Sequence, residues 1–195
     1  GEGSLESKVW LIGEAPGEKE EASGRPFIGG AGQVLNSILA EVGIRREECY
    51  VDNIIQSRPP KNNFGIYYTD KAKRSPTPEL AKAWERIQSL IQEHRPNVVV
   101  ALGNEAMVGI TGHNMITKMR GSILGCHGVK VIPTIHPAMV MRQYEFRPLC
   151  VFDFIRVKEE SKTPSFPAEY KDNFILSPSY DEVMKQLDFL QTQKY

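Results

Sequence analysis

Apolar and polar positions along the chain follow two alternating rhythms. Lys8–Ile12, Tyr50–Ile55 and Asn97–Leu102 are short, almost continuous apolar runs. Their length fits strands buried on both faces. Between them, Val34, Leu35, Ile38, Leu39 and Val42 repeat at helical spacing and stop at Gly43. The spacing predicts a helix over Val34–Val42. Pro78–His94 predicts another, because Thr77-Pro78-Glu79 is a cap and first-turn signature. A helix is expected to begin at Asn104–Gly109, after the third strand. Ser122–Leu124 and Val129–Pro133 predict a hairpin around Gly125–Gly128. Pro137–Tyr144 and Leu149–Glu160 predict the last two helices of this rhythm. Apolar strands separated by helices indicate an α/β domain with a mainly parallel sheet, covered on both faces.

In such sheets ligands sit at the carboxyl ends of the strands. Four segments are expected there: GEAPG from Gly13, QSRPPKNN from Gln56, GNEA from Gly103 and TIHPAMVMR from Thr134. Two regions break the rhythm. Lys61–Ser75 is basic and aromatic without a period, and reads as a long loop. From Lys162 the chain passes through a linker-like TPSFP. A predicted strand at Phe174–Leu176 follows, then a helix capped by Ser179 and Glu182 and carrying Val183, Leu187 and Leu190. The division expected is one domain over 1–161, then a linker and the start of a further domain over 162–195.

Composition narrows the options. The 195 residues are 41% hydrophobic, enough for a sizeable core without staples. Lysine plus arginine equals aspartate plus glutamate, 24 each. Contact with nucleic acid must therefore come from local patches. Three cysteines, Cys49, Cys126 and Cys150, lie far apart with no CxxC spacing. They exclude a four-cysteine metal site built from this chain alone and suggest incidental thiols in a reducing compartment. No run approaches the roughly 20 apolar residues of a membrane span. An intracellular, cytoplasmic protein with no membrane contact is expected.

The chemistry concentrates in Gly13–Gly32, with six glycines and four glutamates. Glycines such as Gly29 and Gly30 let backbone N–H groups approach a phosphate, although the dinucleotide and Walker patterns are absent. Carboxylates there would repel a phosphate unless they have another task. Glu14 and Glu20 could orient a water or stabilise a developing cation. Phe27 could stack on a base. Asn53, at the end of the second strand, offers a donor and an acceptor to a base edge. His136 precedes Pro137 at the mouth of the sheet. Arg142, about a turn and a half further on, could hold a phosphate. Met139 and Met141 could wedge into a base stack. Arg58 is a further candidate for DNA contact.

Taken in order and with their spacing, GEAPGEKEEASGRPFIGGAGQVLNSIL, VDNIIQSRPPKNN, PTPEL…HRPNVVVALG and TIHPAMVMR resemble the uracil-DNA glycosylase superfamily, family 4 in particular. The resemblance spans about Val9–Glu160. It implies a three-layer α/β/α sandwich around a short sheet and monofunctional hydrolysis of the uracil N-glycosidic bond in DNA. It implies Glu14, Glu20 and His136 as catalytic residues. Ala15, Phe27 and Asn53 are the implied uracil-binding residues. Gly29, Gly30, Arg58, Met139, Met141 and Arg142 are assigned to DNA. No lysine nucleophile is present in these motifs, so lyase activity is not expected.

The departures are informative. The resemblance also implies a four-cysteine iron–sulfur cluster. GEGSLESK holds no cysteine, Ser57 stands at the third ligand position, and the region around Ala83 has none. No cluster and no metal are expected. Lys61–Ser75 is longer than the family's link. It lacks the histidine of a related branch that captures uracil-DNA covalently, so covalent capture is not expected. The tail NFILSPSYDEVMKQLDFL resembles the opening of the 3′–5′ exonuclease domain of family A DNA polymerases. The chain is then similar to the front part of a phage polymerase acting in the infected cell. Expected partners are uracil-containing DNA, single- or double-stranded, and an attached polymerase or exonuclease domain. A monomer is expected. The alternative function is a weak or inactive module that recognises uracil or DNA, or binds a protein partner, for the polymerase.

Overall fold

A computed structural model describes residues 1–70, 72, 75–167, 179–180 and 183–184. Among the described residues five strands form one sheet: β1 (Val9–Gly13), β2 (Cys49–Asn53), β3 (Val98–Leu102), β4 (Leu124–Cys126) and β5 (Val129–Thr134), in the order β2-β1-β3-β5-β4. The first three and β5 run parallel, and β4 closes the edge as the antiparallel arm of the expected hairpin. The helices are α1 (Glu18–Ser23), α2 (Gly30–Val42), α3 (Pro78–His94), α4 (Asn104–Thr111), α5 (Ile116–Met119), α6 (Pro137–Arg142) and α7 (Arg147–Glu160).

Because strand side chains alternate between faces, the apolar runs feed two cores. Trp10, Ile12, Val99, Ala101 and Val131 point to one side, where they meet Leu80, Ile87 and Ile91 of α3 and Met107 and Ile110 of α4. Leu11, Val51, Val98, Val100 and Ile132 point to the other, against Leu35, Ile38 and Leu39 of α2 and Phe154 and Val157 of α7. Each buried valine, leucine, isoleucine, methionine or phenylalanine among them contributes roughly 1.5–3 kcal/mol by leaving water. The arrangement is the expected three-layer sandwich.

Local signals explain the boundaries. The Thr77 side chain accepts from the Leu80 N–H, and Pro78 occupies the first turn of α3. α2 stops at Gly43, whose φ of 71° is left-handed. It begins earlier than its apolar spacing suggests, at Gly30. α1 carries no buried residue, so no periodicity announced it.

Lys61–Ser75 differs from the expected loop. Two short 3₁₀ turns cover Pro60–Asn62 and Phe64–Tyr67. Phe64, Tyr67 and Tyr68 are buried in the core beside α3 and α4. The expected strand at Phe174–Leu176 lies outside the described residues, as does most of the capped helix after it. Near its start the Val183 N–H donates to the Ser179 carbonyl at 3.1 Å. No helix among the described residues is long and apolar enough to cross a membrane.

Candidate active site

At the carboxyl ends of the parallel strands a cleft of about 630 Å³ opens. Glu14 and Ala15 follow β1, Asn53 ends β2, Gly103 and Asn104 follow β3, and His136 follows β5; all line it. Phe27, Glu20, Gly29, Gly30, Met139 and Arg142 line it too, whereas Arg58 and Met141, also brought forward from the sequence, do not. Parallel strands thus deliver residues far apart in sequence to one place.

The β1–β2 ladder fixes the acidic start of the loop. Ile54 N–H donates to the Gly13 carbonyl and Ile55 N–H to that of Glu14, at 2.9 and 3.0 Å. Gly13 is needed for close approach. A Cβ there would lie 2.5 Å from both Asn53 Oδ1 and Phe27 Cζ. Asn53 is almost fully buried, and its Oδ1 has no hydrogen-bond partner among the described residues. A buried acceptor of this kind is costly unless a ligand donor meets it.

Phe27 is held in a left-handed conformation, φ 53°, unusual for a bulky side chain. Arg46 stabilises it, its guanidinium donating to the Pro26 carbonyl at 2.7 Å and the Phe27 carbonyl at 3.3 Å. Gly32 must lack a side chain, since a Cβ would fall 1.8 Å from the Phe27 carbonyl oxygen. The Phe27 ring then lies 5.8 Å from the ring of His136.

His136 caps α6. Its Nδ1 accepts from the Ala138 N–H at 3.1 Å. An Nδ1 that accepts leaves the ring proton at Nε2. Burial, with help from Arg142, pushes the pKa of His136 down to about 4. The ring is therefore a neutral Nε2–H donor at ordinary pH.

Other predicted residues are more constrained than their types suggested. Glu20 lines the cleft, but its Oε1 accepts from the Ile28 and Gly29 N–H groups at 3.0 and 2.7 Å. It fastens the start of α2. Arg58 does not line the cleft. Its Nε donates to Asn62 Oδ1 at 2.8 Å, and its guanidinium lies 3.6 and 3.9 Å from Glu18 and Glu21 of α1. Met141 is exposed and sits over Gly30, where a Cβ would meet its Cε at 2.6 Å.

Sequence reading missed Arg46 and Arg86. Arg86, on α3, donates to Asp52 Oδ2 at 2.9 Å and to the Asn53 carbonyl at 2.6 Å. Gln56 Nε2 donates to Asp52 Oδ1 and the Asn53 carbonyl. Burial would raise the Asp52 pKa, but hydrogen bonds from Gln56 and the charge of Arg86 outweigh it and hold the carboxyl below its usual range. No sequence period marks either arginine, since each acts across the chain.

The cysteines do not fit a cluster. Cys49, Cys126 and Cys150 are each buried, Cys126 on one side of the sheet and the other two on the opposite side. Burial pushes the Cys49 thiol up to about 12, so it is inert. Ser57 is exposed and Ala83 packs on the core. Among the described residues no group of three or more histidine, cysteine or acidic side chains is placed to hold a metal.

A parallel α/β/α sandwich thus gathers a carboxylate, a neutral imidazole, a buried carboxamide and an aromatic ring at its strand ends. The family model described as "Uracil DNA glycosylase superfamily" matches residues 1–156, and the chain belongs to that family. It is 39% identical to the type-4 uracil-DNA glycosylase of Thermotoga maritima over 164 residues, 81% of this chain and 80% of the relative. Identity to the type-4 enzyme of Archaeoglobus fulgidus is 33% over 169 residues, 82% and 79% of the two chains. A DNA polymerase of Bacillus phage SP01 is 29% identical over 198 residues, covering 96% of this chain but 20% of that protein.

Proposed function

We propose that the chain excises uracil from DNA by hydrolysing the N-glycosidic bond, leaving an abasic site. The observation that carries this is the convergence of Glu14, Phe27, Asn53 and His136 on one cleft. The target nucleotide must leave the stack to reach it. Phe27 then stacks on the base, and the partnerless Asn53 Oδ1 accepts from an N–H on its edge. The bond between N1 and C1′ breaks, with its electron pair passing to the base. Negative charge at O2 meets the Nε2–H of His136, while the Glu14 carboxylate stabilises the cationic sugar. Water adds to C1′, and the proton it loses passes through solvent to the departing uracil anion, which leaves as the neutral base. Glu20 supports the step by holding the Ile28–Gly29 backbone. The site works without an iron–sulfur cluster, in keeping with the scattered cysteines. The test is release of uracil from single-stranded and U·G oligonucleotides, followed by alkaline cleavage of abasic sites. Cleavage at uracil supports the reading; intact strands despite DNA binding overturn it.

The similarity to a phage DNA polymerase favours a second reading for the whole protein. Residues 1–161 act as a monomeric glycosylase domain in front of a polymerase or exonuclease domain that begins within 162–195, inside the infected cell. If base release fails while uracil-DNA is bound, the domain serves that polymerase as a recognition module.

A further inference from the structure

The two sides of the cleft come from different layers. Phe27, His136 and Arg142 belong to the side packed by α2 and α6. The facing side is built by the segment after β2, with Asn62 and Asn63, and by Asn104 at the start of α4. This second wall is firmly fastened. Phe64, Tyr67 and Tyr68 root it in the core, and the Tyr68 hydroxyl donates to Glu105 at 2.6 Å. Lys61 and Asn62 both adopt left-handed φ values of 55°. Such strain persists only where surrounding contacts enforce it, and it clusters at ligand sites.

The three asparagines share one property. Each carboxamide oxygen already has a donor: Arg58 Nε for Asn62, Gly65 N–H for Asn63 and, at 3.4 Å, Ile116 N–H for Asn104. Each therefore turns its NH₂ into a donor available to a ligand. These donors are neutral. Among the described residues lining the cleft Arg142 is the one arginine or lysine, and it stands on the other wall. Neutral carboxamides suit the edge of a base better than a phosphate, which recruits arginine or lysine. The cleft volume falls in the range of sites for ligands larger than one pyrimidine.

We propose that Asn62, Asn63 and Asn104 form a subsite for the base of a nucleotide adjacent to the excised one, binding its ring-nitrogen or carbonyl acceptors. The inference rests on the DNA reading but not on turnover. Binding is measured by fluorescence anisotropy with single-stranded oligonucleotides carrying one uracil, and either a normal or an abasic nucleotide at each flank. Two hydrogen bonds correspond to roughly tenfold in affinity. The expected result is a loss of about tenfold when one flank is abasic. The Asn62→Gly/Asn63→Ser variant, which keeps Asn104, should lose most of that difference and bind the normal-flank oligonucleotide close to the weaker affinity. Glycine keeps the left-handed turn and serine keeps the cap acceptor, and an unchanged melting temperature verifies the fold. Equal wild-type affinity for normal and abasic flanks overturns the subsite. So does a variant that weakens all oligonucleotides equally, which marks a phosphate contact. Absent binding to any oligonucleotide overturns the DNA reading itself. Flank-dependent binding without uracil release overturns only the excision reading.

Discussion

The rings of Phe27 and His136 lie with centroids 5.8 Å apart and planes inclined by 34°. That is contact distance for an aromatic pair, so the two make a corner and not an open slot. A base stacked on Phe27 brings its edge to the imidazole. His136→Ala is expected to slow base release by about 10²-fold, the typical cost of removing a preorganised donor to a developing oxyanion. DNA affinity should stay within about twofold. Single-turnover kinetics alongside anisotropy separate the two effects.

The same ring sets a pH dependence. Its pKa is pushed down to about 4 in the folded chain, against an ordinary 6.5. The unfolded chain takes up this proton first. Stability therefore falls as pH drops from about 6.5 toward 4, and this contribution is flat above that window. His136→Gln should remove that part of the slope in urea titrations at pH 4.5 and 7. The base-release rate should show no loss centred near pH 6.5 on account of His136; a titration there would contradict a neutral donor.

Gly13 allows Asn53 and Phe27 to meet. Gly13→Ala places a methyl 2.5 Å from atoms of both. Both side chains are buried, so neither can swing freely away. The expected outcome is a loss of about 10²-fold in kcat/KM, since a misplaced positioning group costs that order. The melting temperature should also fall, the strain being about 1–3 kcal/mol. Uracil-excision kinetics and thermal melts check both.

Much of the layered fold was legible because it rests on local rhythm. The run at Asn97–Leu102 and the helix at Pro78–His94 state their burial in their own residues. So was the convergence of Glu14, Asn53 and His136, because parallel strands send their ends to one side. What escaped depends on contacts between distant segments. The aromatic residues of Lys61–Ser75 have no period, yet Phe64, Tyr67 and Tyr68 dock into the core. Glu20 reads as an active-site carboxylate, but no local signal shows that the turn after α1 brings the Ile28 and Gly29 N–H groups to it. Arg58 reads as a DNA contact, and nothing in its neighbourhood in the sequence announces that it also ties α1 to Asn62. Lys130 sits inside an apolar strand, its ammonium fully enclosed by the carbonyls of Glu160 and Thr163 and the Glu160 carboxylate. Nothing within β5 signals partners that lie 30 residues on.

The network at Asn53 yields the last prediction. Arg86 holds the nearly buried Asp52 carboxylate and the Asn53 carbonyl together. Removing the guanidinium leaves a buried charge with weaker partners. Arg86 is itself partly exposed and Asp52 keeps the Gln56, Asn53 and Tyr50 donors, so Arg86→Ala is expected to destabilise the domain by about 1–2 kcal/mol, the cost of a buried acceptor that loses one partner. Because the Asp52 pKa is lowered in the folded state, the pair stabilises fully above the ordinary carboxylate range. That contribution disappears as pH falls through the folded value. Asp52→Asn combined with Arg86→Met should recover part of the loss, since no charge is then stranded. Urea unfolding of the single and double variants at pH 7 measures this, and equal stability of Arg86→Ala and wild type would contradict it. Uracil excision by Arg86→Ala, assayed well below its melting temperature, should also decline, because the Asn53 carboxamide loses the backbone anchor that aims it into the cleft.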